Sequence, residues 1–350
     1  MKVLSLFDGM ACGYLALQVA GVTIDSYTAF EIDETAIKTA AHNFPDIVHG
    51  GDVFGADFKK YKGADILLGG SPCTYWSIAA AGNGSRETMA SGKGWELFCQ
   101  YTRALKEASP KYFIYENNAS MSKAIKQAIS QTFGFEPIMI NSSLVSAQSR
   151  KRLYWVGIKN GDTYRMADIQ QPEERGIVMQ DIIDNAISAK DKGYTITHLQ
   201  GNARDYFKKH HTNIVFKPVQ VGILPRKDGE QTKSKQYRIY TPDNKGVTLC
   251  GQGGGLGAKT GLYAIKGKQF TVKDGYISIG GKEYNIKLPD GEYEIRPLTV
   301  AECKRMQTVP DWYEFPCSDT QAMKMLGNGW TVEVIAYIIK EMMRASNDKM

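Results

Sequence analysis

The chain has 350 residues, 43% hydrophobic and 23% charged, with a formal net charge of +6, so it can bury one large core or two unequal ones. No run of about 18 apolar residues occurs, and the apolar stretch Val3–Phe7 stops at Asp8 and Gly9, which argues against a membrane span and a secretory leader. Six cysteines without a C-x-x-C pair and five histidines with one adjacent pair, His210–His211, argue against a metal site and a disulfide framework, leaving reduced thiols in a cytoplasmic setting.

In chain order, Val3–Phe7 reads as a buried strand that enters a glycine turn, followed by a helix over Tyr14–Ala20. Tyr27–Phe30 is a second strand, and Asp33 is placed to cap the helix that contains Ile37 and Ala40. Ala64–Leu68, Tyr112–Tyr115 and Arg152–Ile158 supply further strands, with helices over Trp95–Ala108 and Ser122–Thr132 between them. Strands alternating with helices predict an α/β unit over residues 1–160, a doubly wound, mostly parallel sheet.

Beyond residue 160 the texture changes. Residues 161–294 are rich in Gly, Lys, Thr and Tyr, and the pairs Asp274-Gly275, Gly280-Gly281 and Asp290-Gly291 punctuate short alternating segments such as Tyr276–Ile279. This predicts a smaller β-rich domain. Between residues 190 and 290 there are 18 Lys/Arg against 8 Asp/Glu, an excess that suggests contact with a polyanion, although a solvated lysine-rich surface gives the same count. Residues 295–350 return to helical spacing at Val300–Met306 and Thr331–Met343 and are expected to complete the first unit.

Four places carry candidate chemistry. At the first strand end, the turn Phe7-Asp8-Gly9-Met10-Ala11-Cys12-Gly13 lets backbone N–H groups approach a ligand. Glu31 at the second strand end suits ribose hydroxyls and Asp52 at the third suits an adenine amine, so together they favour an adenosine-containing cofactor. At the fourth, Gly69-Gly70-Ser71-Pro72-Cys73 holds a thiol rigidly at a strand terminus, where a thiolate can act as a nucleophile. The alternative of a buried inert thiol fits Cys99 and Cys303 better, because both sit in helical periodicity. The Gly/Ala/Ser-rich stretch after Cys73 reads either as a lid that carries Ser77, Asn83, Ser85 and Arg86 onto a nucleic acid or as an idle loop. Glu116, at the tip of a buried strand, needs a partner, and a cytosine ring offers one. In Gln148-Ser149-Arg150-Lys151-Arg152, alternation sends Arg150 and Arg152 to one face, suited to a base carbonyl and a phosphate.

In this order and spacing the residues resemble the DNA cytosine-5 methyltransferase family almost end to end. Phe7–Gly13 looks like its cofactor loop, Pro72-Cys73 like its catalytic Pro-Cys, Glu116-Asn117 like its Glu-Asn, and Gln148-x-Arg150-x-Arg152 like its Gln-x-Arg-x-Arg motif. Arg296-Pro297-Leu298-Thr299-x-x-Glu302 with Gln307 and Pro310, then Gly327-Asn328, resemble its last blocks, and Thr248-Leu249 its recognition-domain signature. Departures are Thr74 for Gln, Asn118 for Val, and Gly329-Trp330 for Ser-Val.

The resemblance implies that S-adenosyl-L-methionine is held by Phe7–Gly13, Glu31, Ile32, Asp52, Val53, Pro72, Asn328 and Trp330. It also implies catalysis on carbon 5 of a flipped cytosine by Cys73, Glu116, Arg150 and Arg152, with Arg152 holding the base carbonyl and Arg150 positioning the nearby backbone or Glu116. Double-stranded DNA would be the partner, read by residues 161–294 with Arg238 and Thr248 among the contacts, and the protein is expected to act as a monomer. The small size is similar to that of bacterial or phage modification enzymes. An amino-group methyltransferase would need a second Pro where Cys73 stands; an RNA methyltransferase of the same fold and a non-catalytic DNA-binding protein are the other readings.

Overall fold

The structure, a computed structural model, describes residues 1–77, 86–184, 217–251 and 256–347. Two sheets organise them. In the first, β1 (Lys2–Leu6), β2 (Ser26–Phe30), β3 (Val48–His49), β4 (Ile66–Gly69) and β5 (Tyr112–Asn118) run parallel in the order β3-β2-β1-β4-β5. Beyond β5 lie β6 (Ile138–Asn141) and β7 (Lys151–Asn160), with β7 inserted antiparallel between β5 and β6. A hairpin then adds β8 (Thr163–Met166) to the far end of β7. The expected doubly wound α/β sheet is present.

Its strands are apolar on both faces because both are covered. Leu4, Leu6, Leu67, Phe113, Tyr115 and Trp155 belong to one layer, closed by Phe98 and Tyr101 of α3 (Gly92–Ala108) and Ile125 and Ile129 of α4 (Lys123–Phe133). Val3, Ala29, Ile66, Leu68, Ile114 and Val156 belong to the other, shared with α1 (Cys12–Ala20) and α2 (Glu34–Asn43). The C-terminal helices α5 (Val300–Met306), α6 (Asp319–Asn328) and α7 (Val332–Asn347) join that same layer, α7 lying along α1. Asp33 caps α2 as expected, accepting from the amides of Thr35 and Ala36.

The second sheet has the order β13-β12-β11-β10-β9, built from β9 (Gln220–Ile223), β10 (Arg238–Tyr240), β11 (Leu262–Lys273), β12 (Tyr276–Ile279) and β13 (Lys282–Asn285). β14 (Gly291–Arg296) pairs along β11. Val221, Ile239, Leu262, Ala264, Ile277 and Ile295 form its separate small core. Asp274-Gly275 and Gly280-Gly281 turn the two hairpins β11–β12 and β12–β13, and all four residues have positive φ, as tight turns with a twist matched to the strands require. Asp290-Gly291 differs: it leads into β14, whose partner is β11.

Two boundaries and several short elements depart from the sequence reading. β1 ends at Leu6, and Phe7 has already turned to a φ of 57°. The first sheet continues past residue 160 into β8, and Val178, Met179, Ile182 and Ile183 are buried in the main core, so the chain leaves this unit later than expected. Helix α6 and the short strands β6 and β8 were not anticipated, whereas β3 is the strand expected ahead of Asp52.

Candidate active site

Parallel strands deliver their carboxyl ends to one edge of the sheet, and an antiparallel neighbour delivers its amino end to the same edge. Here β1, β2, β4 and β5 present Phe7–Gly9, Glu31, Gly70–Pro72 and Glu116, while β7 brings Arg152 to that edge opposite Asn118. The cleft between them is lined by Phe7, Asp8, Gly9, Met10, Cys12, Glu31, Pro72, Thr74, Glu116, Arg150, Arg152, Asn328 and Trp330, with Asp33 and Lys324 at its side. Most candidate cofactor residues and three of the four candidate catalytic residues therefore face one cavity. Ala11, Gly13, Ile32, Asp52 and Val53 do not line it. Ala11 is buried in the turn, Ile32 is 72% exposed outside, Val53 is buried in the α3 layer, and the Asp52 carboxylate accepts from the Phe54 amide as a local cap.

The loop after β1 is held by its own carboxylates. Glu31 Oε2 accepts from the Gly9 amide at 2.9 Å, and its Oε1 accepts from the amides of Ile32 and Asp33. Asp8 Oδ1 accepts from the Ser5 and Tyr27 hydroxyls, while its Oδ2 is buried with no partner among the described residues. Burial, with a smaller push from Glu31, raises the Asp8 carboxyl from its ordinary 3.8 to about 6. A buried acceptor left open in a cavity wall is costly unless a donor arrives. Cys12 also lines the cavity, but burial pushes its thiol up to about 12, which leaves it a poor nucleophile.

Cys73 begins a single 3-10 turn, Cys73–Tyr75, immediately after Pro72. What fixes this turn was not legible in the sequence. The Ser71 hydroxyl shares a 2.6 Å hydrogen bond with the Tyr115 hydroxyl, and Asn117 Nδ2 donates to the Ser71 carbonyl at 3.1 Å. Asn117 thus ties the strand end of β5 to the peptide just before Pro72. Beyond Cys73, the Trp76 indole donates to Glu87 Oε2, Glu87 also accepts from the Gly94 amide, and the Glu87 amide donates to the Tyr75 carbonyl. This clamp closes the two ends of the 77–86 segment.

Glu116 does have partners. Arg152 Nε meets its Oε1 at 2.9 Å, and the Trp330 indole Nε1 donates to its Oε2 at 2.9 Å. Gly70 permits this arrangement: a Cβ there would lie 2.7 Å from the Glu116 carbonyl and 3.0 Å from Oε2. Arg152 also donates from Nη1 to the Lys151 carbonyl.

Arg150 and Arg152 both face the cleft, as alternation predicts, but their partners differ. Only 4% exposed, Arg150 lies ahead of β7 and donates to the carbonyls of Leu249, Gly327 and Gly329. Its guanidinium thus holds the chain's own backbone, the positioning role that the resemblance implies for it. Gln307 extends the same clamp, donating to the Leu326 carbonyl while its Oε1 accepts from Gln148 and Thr331.

The candidate DNA contacts divide. Ser77 is half-buried beside the clamp, and Asn83 and Ser85 lie outside the described residues. Arg86 turns inward, donating to the Ser120 carbonyl at 2.7 Å. The Thr248 hydroxyl donates to the Ser149 carbonyl at 2.6 Å, which makes it a tie between segments in place of a base-edge contact. Arg238 sits on the second sheet, with two nitrogens bonded to the Lys233 carbonyl. Cys99, expected to be buried, is exposed on α3, whereas Cys303 is buried as expected. Among the described residues no group of three or more His, Cys, Asp or Glu is placed to hold a metal, and no helix is long and apolar enough to cross a membrane.

Comparison with known proteins matches this architecture. Orphan methyltransferase M.SPRI of Bacillus phage SPR is 32% identical over 202 residues, 52% of this chain and 45% of that protein. Type II methyltransferase M.HhaI of Haemophilus parahaemolyticus is 24% identical over 352 residues, 97% of this chain and 93% of its own length. The chain thus spans about half the length of the first relative and nearly all of the second. The solved structure of the Entamoeba histolytica methyltransferase EhMeth shares the fold, with a TM-score of 0.62 at 14% identity over 99% of this chain and 98% of that one. The model of the family described as C-5 cytosine-specific DNA methylase matches residues 1–344. Because that match runs through every strand end that builds the cleft, the chain belongs to the C-5 cytosine-specific DNA methylases, enzymes whose general mechanism is base flipping and a covalent cysteine adduct.

Proposed function

We propose that this chain methylates carbon 5 of a cytosine flipped out of a specific sequence in double-stranded DNA, with S-adenosyl-L-methionine as methyl donor and Cys73 as nucleophile. The observation that carries the reading is the convergence, in one cleft, of Pro72 and Thr74, which flank Cys73 in the chain, and the Glu116–Arg152 pair with a glycine loop and two carboxylates. The donor fits those residues: the ammonium of its methionine moiety would satisfy the open Asp8 Oδ2, and Glu31 would take the ribose hydroxyls. Bound there, S-adenosyl-L-methionine supplies an electrophilic methyl group.

Carbon 5 of neutral cytosine is a weak nucleophile, so the chain must activate it. The Cys73 thiolate adds to carbon 6, forming a C–S bond and pushing electrons toward the ring nitrogen. A protonated Glu116 donates to that nitrogen, while its other oxygen accepts from the exocyclic amine. Arg152 Nη2, which makes neither of the arginine's bonds described above, is assigned to the base carbonyl. Arg150 acts through backbone, holding Leu249, Gly327 and Gly329 in place. Once carbon 5 carries the methyl group its proton passes to solvent, the electrons of that C–H bond re-form the 5,6 double bond and expel the Cys73 thiolate, and the ring nitrogen returns its proton to Glu116.

We assign sequence recognition to the β9–β14 unit within residues 161–294, donor binding and catalysis to residues 1–160, and completion of the pocket to residues 295–350. A monomer suffices for this scheme, acting in the cytoplasm on nucleoid DNA. The test uses purified protein, tritiated S-adenosyl-L-methionine and unmethylated genomic DNA, digested to nucleosides. Label in 5-methylcytosine supports the reading, label in an amino-methylated base overturns the role of Cys73, and label only in added transfer RNA changes the substrate.

A further inference from the structure

Trp330 and Glu116 lie 214 residues apart in the chain, yet the indole N–H of one bonds Oε2 of the other at 2.9 Å. With Arg152 on Oε1, the carboxyl group has one donor on each oxygen. A carboxylate offers about four lone-pair sites, so these two bonds fix its plane and still leave an acceptor site on each oxygen. The other side of the same indole faces the glycine loop: a Cβ built at Gly13 would lie 3.7 Å from Trp330 Cζ3, besides meeting the Tyr27 hydroxyl at 2.8 Å. The chain just before Trp330 also runs against the Cys12 sulfur, which would lie 3.0 Å from a Cβ built at Gly329. One side chain therefore spans from the donor loop to the carboxyl group that meets the base.

We infer that Trp330 is a positioning residue: it orients Glu116 for the target cytosine and couples that orientation to occupancy of the Phe7–Gly13 loop. This rests on the function proposed above and adds a route by which donor binding prepares base binding. A carboxyl held only by Arg152 can pivot about its side-chain torsions, and small misplacement of a catalytic group is expensive. Because the ring packs on the loop, a ligand beside the loop restricts the ring, and by reciprocity each ligand tightens the other.

The test compares wild type with Trp330→Phe, which keeps the ring and loses the donor, and Trp330→His, which keeps a ring N–H at similar reach. Turnover and KM are measured on unmethylated genomic DNA. Binding of S-adenosylhomocysteine, and the factor by which it tightens DNA binding, are measured separately. Trp330→Phe is expected to lower kcat about 10-fold, the scale of one hydrogen bond, with KM for DNA and S-adenosylhomocysteine affinity within about two-fold. The tightening factor should shrink, and Trp330→His should recover part of both losses. Unchanged kcat with weakened S-adenosylhomocysteine binding would reduce Trp330 to a wall of the pocket, and equal impairment of both variants would make its role one of packing. If Trp330→Phe fails to fold, a Trp330→His protein that folds with full kcat and an unchanged tightening factor supports the donor role, and one that folds with neither overturns it. Wild-type 5-methylcytosine formation, scored in the same series, separates failure of this inference from failure of the function.

Discussion

The cleft at the edge of the first sheet and the face of the second sheet are built to different standards. In and behind the wall of the cleft, Arg150, Asn117 and Gln307 are buried, and each spends polar atoms on backbone carbonyls of the chain. On the second sheet, Lys235, Lys266, Lys268, Lys273 and Lys282 are exposed around a small separate core. Covalent chemistry on a ring needs groups fixed before the substrate arrives, so its residues are over-determined. Attraction of a phosphate backbone needs only positive charge near a surface. The first kind of residue is recognisable one by one, the second only in aggregate.

The joint between the two regions is the place to break this comparison. Arg296, at the end of β14, makes a two-bond pair with Glu302 of α5, which is fully buried and also accepts from the amides of Thr299 and Asp184. Glu302→Ala should cost roughly 3 kcal/mol in urea unfolding, because it strands an arginine and two amides. A loss under about 1 kcal/mol would mean that the second sheet docks independently of this pair.

Asp8 offers a comparable effect of opposite sign. Its carboxyl titrates near 6 in the folded chain against 3.8 when unfolded, so the native state binds the extra proton between these values. Stability conferred by this group therefore rises as pH falls from about 6 toward 4, and at neutral pH the ionised form costs about 3 kcal/mol. Asp8→Asn, whose Oδ1 still accepts from Ser5 and Tyr27, should raise the neutral-pH melting temperature and remove that part of the pH dependence. An unchanged profile would mean that the cleft is not over-determined at Asp8.

The smallest effect on stability belongs to the second sheet. Replacing Lys235, Lys268 and Lys273 together by Ala should leave the melting temperature unchanged and lower the slope of log affinity for duplex DNA against log salt by up to about 3. A slope that does not move would transfer the polyanion contact away from this face.

The residues that sequence reasoning located were those whose type alone implies chemistry at a strand end: Asp8, Glu31, Glu116, Arg152 and the Pro72–Cys73 turn. Arg150 faces the cleft together with Arg152, as alternation predicts, although β7 begins only at Lys151, but its carbonyl partners at Leu249, Gly327 and Gly329 lie far along the chain. Arg86 and Thr248 were read as outward-facing because carbonyl acceptors at Ser120 and Ser149 come from elsewhere in the chain. No local pattern announces such partners. Helix α6 was legible after all: Ser318 and Gln321 form a capping box at its start, the signature of a Ser followed three residues later by Gln. Strand β6, Ile-Met-Ile-Asn, is too short for periodicity to separate it from a loop.

The central claim, that Cys73 attacks the base, is tested most directly by trapping. Duplex DNA carrying 5-fluorocytosine in place of cytosine cannot release its adduct after methylation, because fluorine replaces the proton that must leave. Incubated with S-adenosyl-L-methionine, the full chain should form a denaturant-resistant adduct whose tryptic map places the DNA on the Cys73 peptide, and Cys73→Ser should form none. An adduct on Cys12, or 5-methylcytosine formed on ordinary DNA by Cys73→Ser, would contradict the account.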